Sequence, residues 1–274
     1  MNRKSFQSFS LEYKASVDRM DVPSSISDEI ARAVWRSRGQ LWDFRDCLNL
    51  VESSQPTGAT ILDFGCGFAF LTSLLSENGF TAYGVDIAVQ DKAEETSTCC
   101  KPVGVSSRDH KLIPVWSVIE SKWPVKLAFY EGHSLPYEND FFDAVIAHAV
   151  IEHITANDIE TCLSEVWRVL KPGGFFFVFK SPRKSSFAEK LASFMGIEHH
   201  DRLLTDDEYA NLISRNGFQI NCMDVHDLFP RGGLRFQWLV NSIEPLTRII
   251  EGWLLKTRIA RFAHHVVVVA QKTD

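Results

Sequence analysis

An apolar run that stops at two glycines, two positions apart, constrains this chain more than any other feature. Residues 59–66 read as a buried strand, Gly65-Cys66-Gly67 as a tight turn, and Phe70, Leu71, Leu74 and Leu75 as the inward stripe of a helix that stops at Asn78-Gly79. Glycine turns without a Cβ penalty and lets the backbone approach a ligand closely, and the helix start behind it presents unpaired N–H groups. The motif predicts a sheet whose ligand sits beyond the carboxyl ends of its strands.

The pattern then alternates. Residues 81–87, 125–130 and 142–147 read as the next three strands, and a helix over 157–170 carries Ile159, Cys162, Leu163, Val166 and Leu170 on one face. Lys171-Pro172-Gly173-Gly174 reads as its stop and residues 175–179 as the fifth strand. Thr205 and Glu208 have capping-box spacing and open a helix that closes at Asn216-Gly217. Residues 218–225 and 265–270 read as an antiparallel hairpin at one sheet edge. The expectation is an α/β fold, a doubly wound, mostly parallel, seven-stranded sheet. A helical preface or lid (1–58) precedes a core (59–228), and a helical cap (229–263) interrupts it before the last strand (264–274). Residues 89–123 form an insertion to which the pattern assigns no structure.

Composition narrows the function classes. With 274 residues, 45% hydrophobic and 23% charged, the chain is neither disordered nor fibrous, and a net charge of −6 argues against a phosphate-gripping surface, so no nucleic-acid partner is expected. None of the six cysteines forms a CxxC pair, which leaves no zinc ribbon or redox dithiol. The opening MNRKSFQSFS lacks an apolar secretory segment, and a cytoplasmic location is expected.

The residues around the turn select the ligand. A dinucleotide fingerprint needs a third glycine where this chain has Phe70, and Asp63 would repel a pyrophosphate, which argues against a nicotinamide oxidoreductase. Asp63 suits a cationic amino group instead. Asp86 ends the second strand 21 residues after Gly65, the distance of a carboxylate that accepts ribose hydroxyls, and Glu131 ends the third strand where an adenine amine would lie. Amine, ribose and adenine together describe S-adenosylmethionine.

These motifs resemble the class I S-adenosylmethionine-dependent methyltransferases over roughly residues 59–218. Asp63-Phe64-Gly65-Cys66-Gly67 is similar to the family's first motif and Gly84-Val85-Asp86 to its ribose motif. Glu131-Gly132-His133-Ser134-Leu135-Pro136-Tyr137 with the following strand is similar to its adenine loop, and Arg168–Gly174 to its fifth-strand entry. Ala69 replaces a third glycine common in the first motif. The resemblance implies a cofactor site of Asp63, Gly65, Cys66, Gly67, Asp86, Ile87, Glu131, Gly132 and His133. It places His148 beside the methyl group and the substrate, with His153 as a second candidate catalytic residue, and it gives Tyr13 either a lid role or an ordinary surface-helix position.

Glu152-His153 is also similar to the metal-binding pair of ubiquinone-pathway and small-RNA O-methyltransferases, but the glutamate those carry three residues earlier is Ala149 here, so no metal is expected. His199-His200 read as a polar loop on the substrate side. Segment 229–262 sets six cations against Glu244 and Glu251 and interleaves them with Trp238, Trp253, Phe236 and Phe262. It reads as an amphipathic lid packed on the sheet, with peripheral membrane contact as the sharper alternative. The expected activity is methyl transfer to a small-molecule, lipid or glycan acceptor, oxygen preferred. The alternatives are metal-assisted O-methylation through Glu152 and His153, or a non-catalytic subunit that binds a partner through 229–262.

Overall fold

The computed structural model describes residues 5–87, 105–194, 203–229 and 237–273. Three helices come first: α1 (Phe6–Val17), α2 (Ser24–Val34) and α3 (Arg38–Ser54). Then follow β1 (Thr60–Phe64), α4 (Phe70–Glu77), β2 (Thr81–Ile87), α5 (Val105–Lys122), β3 (Lys126–Tyr130), β4 (Phe142–His148), α6 (Ile159–Val169) and β5 (Leu170–Pro182). The last elements are α7 (Phe187–Phe194), α8 (Asp206–Arg215), β6 (Phe218–His226), α9 (Gln237–Leu254) and β7 (His265–Lys272). One sheet takes all seven strands in the order β3-β2-β1-β4-β5-β7-β6. Strands β1 to β5 pair in parallel, and β7 runs antiparallel to both β5 and β6. This is the doubly wound sheet with an edge hairpin that the alternation predicts.

Period-two burial explains why the sheet has helices on both sides. Ile61, Ala144, Ile146 and Phe177 point into a core shared with α1 to α5, while Leu62, Phe64, Val145, Ala147, Phe176 and Val178 point into a second core shared with α6 and α8. Each large apolar side chain so buried contributes about 1.5–3 kcal/mol. The order reverses between β1 and β4, which leaves a crevice beyond their carboxyl ends.

Three expectations change. Lys171–Gly174 does not separate α6 from the fifth strand: Leu170 already pairs with Phe142, and after a register shift the ladder resumes at Ala144 and Phe175. The helix stop is thus itself the first stretch of β5. The insertion contains α5, whose Trp116 and Ile119 are buried in the first core, while residues 88–104, with Cys99-Cys100, lie outside the described residues. Finally, α9 packs on α3 rather than on the sheet, and does so through polar side chains.

Candidate active site

The turn after β1 is built from left-handed backbone. Gly65 (φ +79°), Gly67 (φ +50°) and Ala69 (φ +58°) take left-handed backbone at every second position and lead into α4. The N–H groups of Gly65 and Cys66 both donate to the Val85 carbonyl, at 2.8 and 3.0 Å, which pins the turn to β2. A Cβ on Gly65 would lie 2.6 Å from Val150 Cγ2, so the loop after β4 needs glycine there; a Cβ on Gly67 would meet nothing within 4 Å. The turn therefore opens on free space at Gly67 and is closed at Gly65. Ala69 takes the same left-handed geometry without being glycine, at a cost of about 1–2 kcal/mol.

Asp86 is buried at the end of β2 and fixed by backbone. Its Oδ2 accepts the Gly67 N–H at 2.7 Å and its Oδ1 the Ile87 N–H at 2.8 Å. Each oxygen keeps a further lone pair, so the carboxylate is oriented yet able to accept two hydroxyls. Register brings Asp86 beside Phe129 and Ile87 beside Tyr130, and Glu131 follows with its side chain exposed. Ile87 is also exposed, an apolar face at a polar edge, and Gly132 (φ +86°) makes the turn that follows. His133 is exposed next to it. Hydrogen-bond acceptors and a left-handed glycine turn thus lie together on adjoining strand ends.

Asp63 is placed differently from its neighbours. It is buried beneath the turn, where Oδ2 accepts the Thr72 hydroxyl of α4 at 2.7 Å. Burial pushes its carboxyl up to about 7 against the opposing Thr72 hydrogen bond, and the Asp86 charge adds to the rise. Cys66 is likewise a buried thiol raised well above its ordinary range by burial and by Asp63.

At the other side of the crevice, His148 ends β4, and its ring stacks on Phe44 of α3 with centroids 4.6 Å apart and planes at 18°. Its Nε2 is enclosed and has no hydrogen-bond partner among the described residues. Burial, reinforced by the Lys180 and His265 charges, pushes the imidazole down to about 3. His148 is therefore neutral at physiological pH and too weak a base to take a proton efficiently; its enclosed nitrogen suits a hydrogen bond to a ligand. His153 stands in a 3-10 turn with its ring half-exposed, 4.0 Å from Glu152. The Glu152 carboxylate is buried and accepts the Ser181 hydroxyl at 3.3 Å. Among the described residues, no group of three or more His, Cys, Asp or Glu side chains is placed to hold a metal ion. His199 and His200 lie outside the described residues.

Residues 62–178 match the model of a methyltransferase domain family. Through that domain the chain is similar to the class I S-adenosylmethionine-dependent methyltransferases. The chain is 26% identical over 189 residues to the human mitochondrial ubiquinone biosynthesis O-methyltransferase, a match that takes in 63% of this chain and 46% of that protein. It spans about half the length of such curated relatives. Among solved structures, phosphoethanolamine N-methyltransferase 2 from Haemonchus contortus superposes with a TM-score of 0.59 at 20% identity, covering 96% of this chain and 60% of that one. A Methanosarcina mazei methyltransferase gives 0.55 at 16% identity, covering 82% and 97%. These structural likenesses show the shared fold.

Several residues around this candidate site have no motif. Trp116 of α5 donates its indole N–H to the Gly67 carbonyl at 2.8 Å and stacks on Phe129, with centroids 4.3 Å apart. Tyr13, read as a lid or surface residue, is fully buried; its hydroxyl donates to the Phe68 carbonyl at 2.5 Å and its ring packs edge-on to Phe70. So α1 holds the glycine turn from behind. Beyond β5, His265 Nδ1 lies 2.6 Å from Asp227, and His264 sits between Ser186 (3.0 Å) and Glu189 (3.4 Å). These contacts tie α7 and the end of β6 to the start of β7.

The raised Asp63 carboxyl has a measurable consequence. Between its ordinary range and about 7, the folded protein holds a proton that the unfolded chain has released, so stability is full at low pH and is lost as pH rises through 7. Wild-type thermal melts in the absence of cofactor are expected to shift downward between about pH 4 and 7 and to level off above that, with a limiting slope of about 1.4 kcal/mol per pH unit. Asp63→Asn should flatten that slope and melt above wild type at pH 8. Parallel curves for the two proteins would show that Asp63 ionises without cost.

Proposed function

We propose that this protein methylates an oxygen atom of a small-molecule acceptor, with Asp86 and Glu131 holding the ribose and adenine of S-adenosylmethionine and Asp63 facing its methionine end. The observation that carries the acceptor side is the enclosed, unpartnered Nε2 of His148 beside the glycine turn. A buried polar atom without a partner fits a ligand hydroxyl. When bound, the cofactor supplies an electrophilic methyl on a sulfonium whose departure needs no acid, so the chain's task is alignment and exclusion of water. Phe44 covers the His148 ring from α3, which suits a compact or chain-like acceptor rather than a broad macromolecular surface. The preference for oxygen draws support from the similarity to ubiquinone biosynthesis O-methyltransferases.

In this reading His148 positions the acceptor hydroxyl and Asp63 balances the cofactor's ammonium charge. Labelled methyl transfer should be assayed against quinol, catechol and amino-alcohol acceptors. His148→Ala is expected to raise the KM for the hydroxyl acceptor ~10-fold, the loss of one hydrogen bond, and to leave the cofactor Kd within about twofold of wild type. His148→Gln, which can still hydrogen-bond, should recover part of the loss. The pH profile between 5 and 8 should carry no inflection that His148→Gln removes. Methylation of nitrogen acceptors alone would overturn the oxygen assignment, and failure of a folded wild type to bind S-adenosylmethionine would favour the partner-binding subunit.

A further inference from the structure

Helix α9 is inside out. Asn241, Glu244, Arg248 and Glu251 recur at helical spacing, so they share one face, and that face is turned toward the protein. The Asn241 side chain accepts the Arg38 N–H at 3.0 Å and donates to the Arg36 carbonyl at 3.2 Å. Arg248 pairs with Asp46 of α3 and lies over the Trp42 ring, 4.6 Å from its centroid. Glu251 accepts the backbone N–H groups of Leu228 and Phe229. The opposite face carries Trp238, Ile243, Leu246, Ile249, Ile250 and Trp253, all exposed, with the two tryptophans 69% and 78% accessible. A helix on a water-facing surface places these side chains the other way round.

Charge identifies what covers that face. From Gln237 to Phe262 the chain has two acids, Glu244 and Glu251, and both are buried, 3% and 4% exposed. Just past the helix, the exposed cations Lys256, Arg258 and Arg261 alternate with the exposed Ile259 and Phe262. An apolar face with a tryptophan near each end, flanked by cations and bearing no exposed acid, complements an anionic headgroup layer. A second copy of the chain fits less well, because two such faces would meet with no exposed acid to offset either set of cations. No helix among the described residues is long and apolar enough to cross a membrane, so α9 would lie along the surface.

We propose that α9 docks this protein on an anionic lipid bilayer, with the Trp238–Trp253 face inserted at the headgroup–acyl boundary and Lys256, Arg258 and Arg261 among the headgroups. This rests on α9 alone and not on the identity of the acceptor. The test is co-sedimentation of the full chain with phosphatidylcholine vesicles, with and without phosphatidylglycerol, alongside sedimentation velocity without lipid. Wild type should partition onto the anionic vesicles and be released by salt. Leu246→Ser/Ile249→Ser and Lys256→Glu/Arg258→Glu should each weaken partitioning at least ~10-fold, with melting temperature and S-adenosylmethionine affinity unchanged. The charge-reversal pair keeps the test open if the apolar pair fails to fold. Absence of binding to anionic vesicles, binding that neither pair alters, or a dimer that Leu246→Ser/Ile249→Ser dissociates would each overturn the proposal, the last by giving the face to a second copy.

Discussion

Asp86→Ala is expected to weaken S-adenosylmethionine binding by ~30- to 1000-fold, the equivalent of roughly 2–4 kcal/mol, as read by calorimetric titration. One hydrogen bond to a charged group contributes about 1.5–3 kcal/mol, so two proposed hydroxyl bonds to one carboxylate reach that range when they are less than additive. The loss extends beyond the ligand contacts. Asp86 also receives the Gly67 and Ile87 N–H groups, so alanine frees the open end of the glycine turn from β2. Asparagine is no milder in this setting. Each carboxylate oxygen already accepts a backbone N–H, and an amide must turn its own NH2 toward one of those donors. Asp86→Asn should therefore bind no better than about threefold above Asp86→Ala. An asparagine variant with near-wild-type affinity would show that the ribose is held elsewhere.

The sheet and the glycine turn were legible because each rests on local sequence. A strand running into Gly65 and Gly67, a carboxylate closing the next strand at Asp86, and the capping box at Thr205 and Glu208 are all read within a few residues, and each forms as expected. The remainder depends on contacts between distant residues of ordinary type. Nothing around Trp116 says that its indole will reach the Gly67 carbonyl, and nothing around Tyr13 that it will be buried against Phe70. Phe44 and His148 stack across more than a hundred residues. The neighbourhood of His148 also reverses its chemistry. An imidazole free in water is poised to take a proton near neutrality, whereas one enclosed beside Lys180 and His265 is not. Helix α9 fails for a different reason. Its periodicity reveals two faces, but it takes contacts such as Arg248–Asp46, Asn241–Arg38 and Glu251–Leu228 to show that the polar one looks inward.

The two glycines of the turn should separate folding from ligand binding. Gly65→Ala must place a methyl 2.6 Å from Val150 Cγ2 at a φ of +79°, so it combines left-handed strain with overpacking. Together these cost about 2–5 kcal/mol of stability. Any relief requires Val150 to move, and with it the loop that begins at His148, so acceptor turnover should fall along with cofactor affinity. Gly67→Ala meets no neighbour within 4 Å and bears only the strain of φ +50°, about 1–2 kcal/mol. Its methyl would instead stand in the open space in front of the turn, so Gly67→Ala should fold normally and lose cofactor affinity. Adding Val150→Ala should recover at least ~1 kcal/mol of the Gly65→Ala loss, because the two changes share one contact, and should do nothing for Gly67→Ala. Chemical denaturation of the four proteins, followed by S-adenosylmethionine titration, provides both readouts. Equal destabilisation by the two glycine substitutions would mean that strain alone sets the cost and that Val150 does not close the turn.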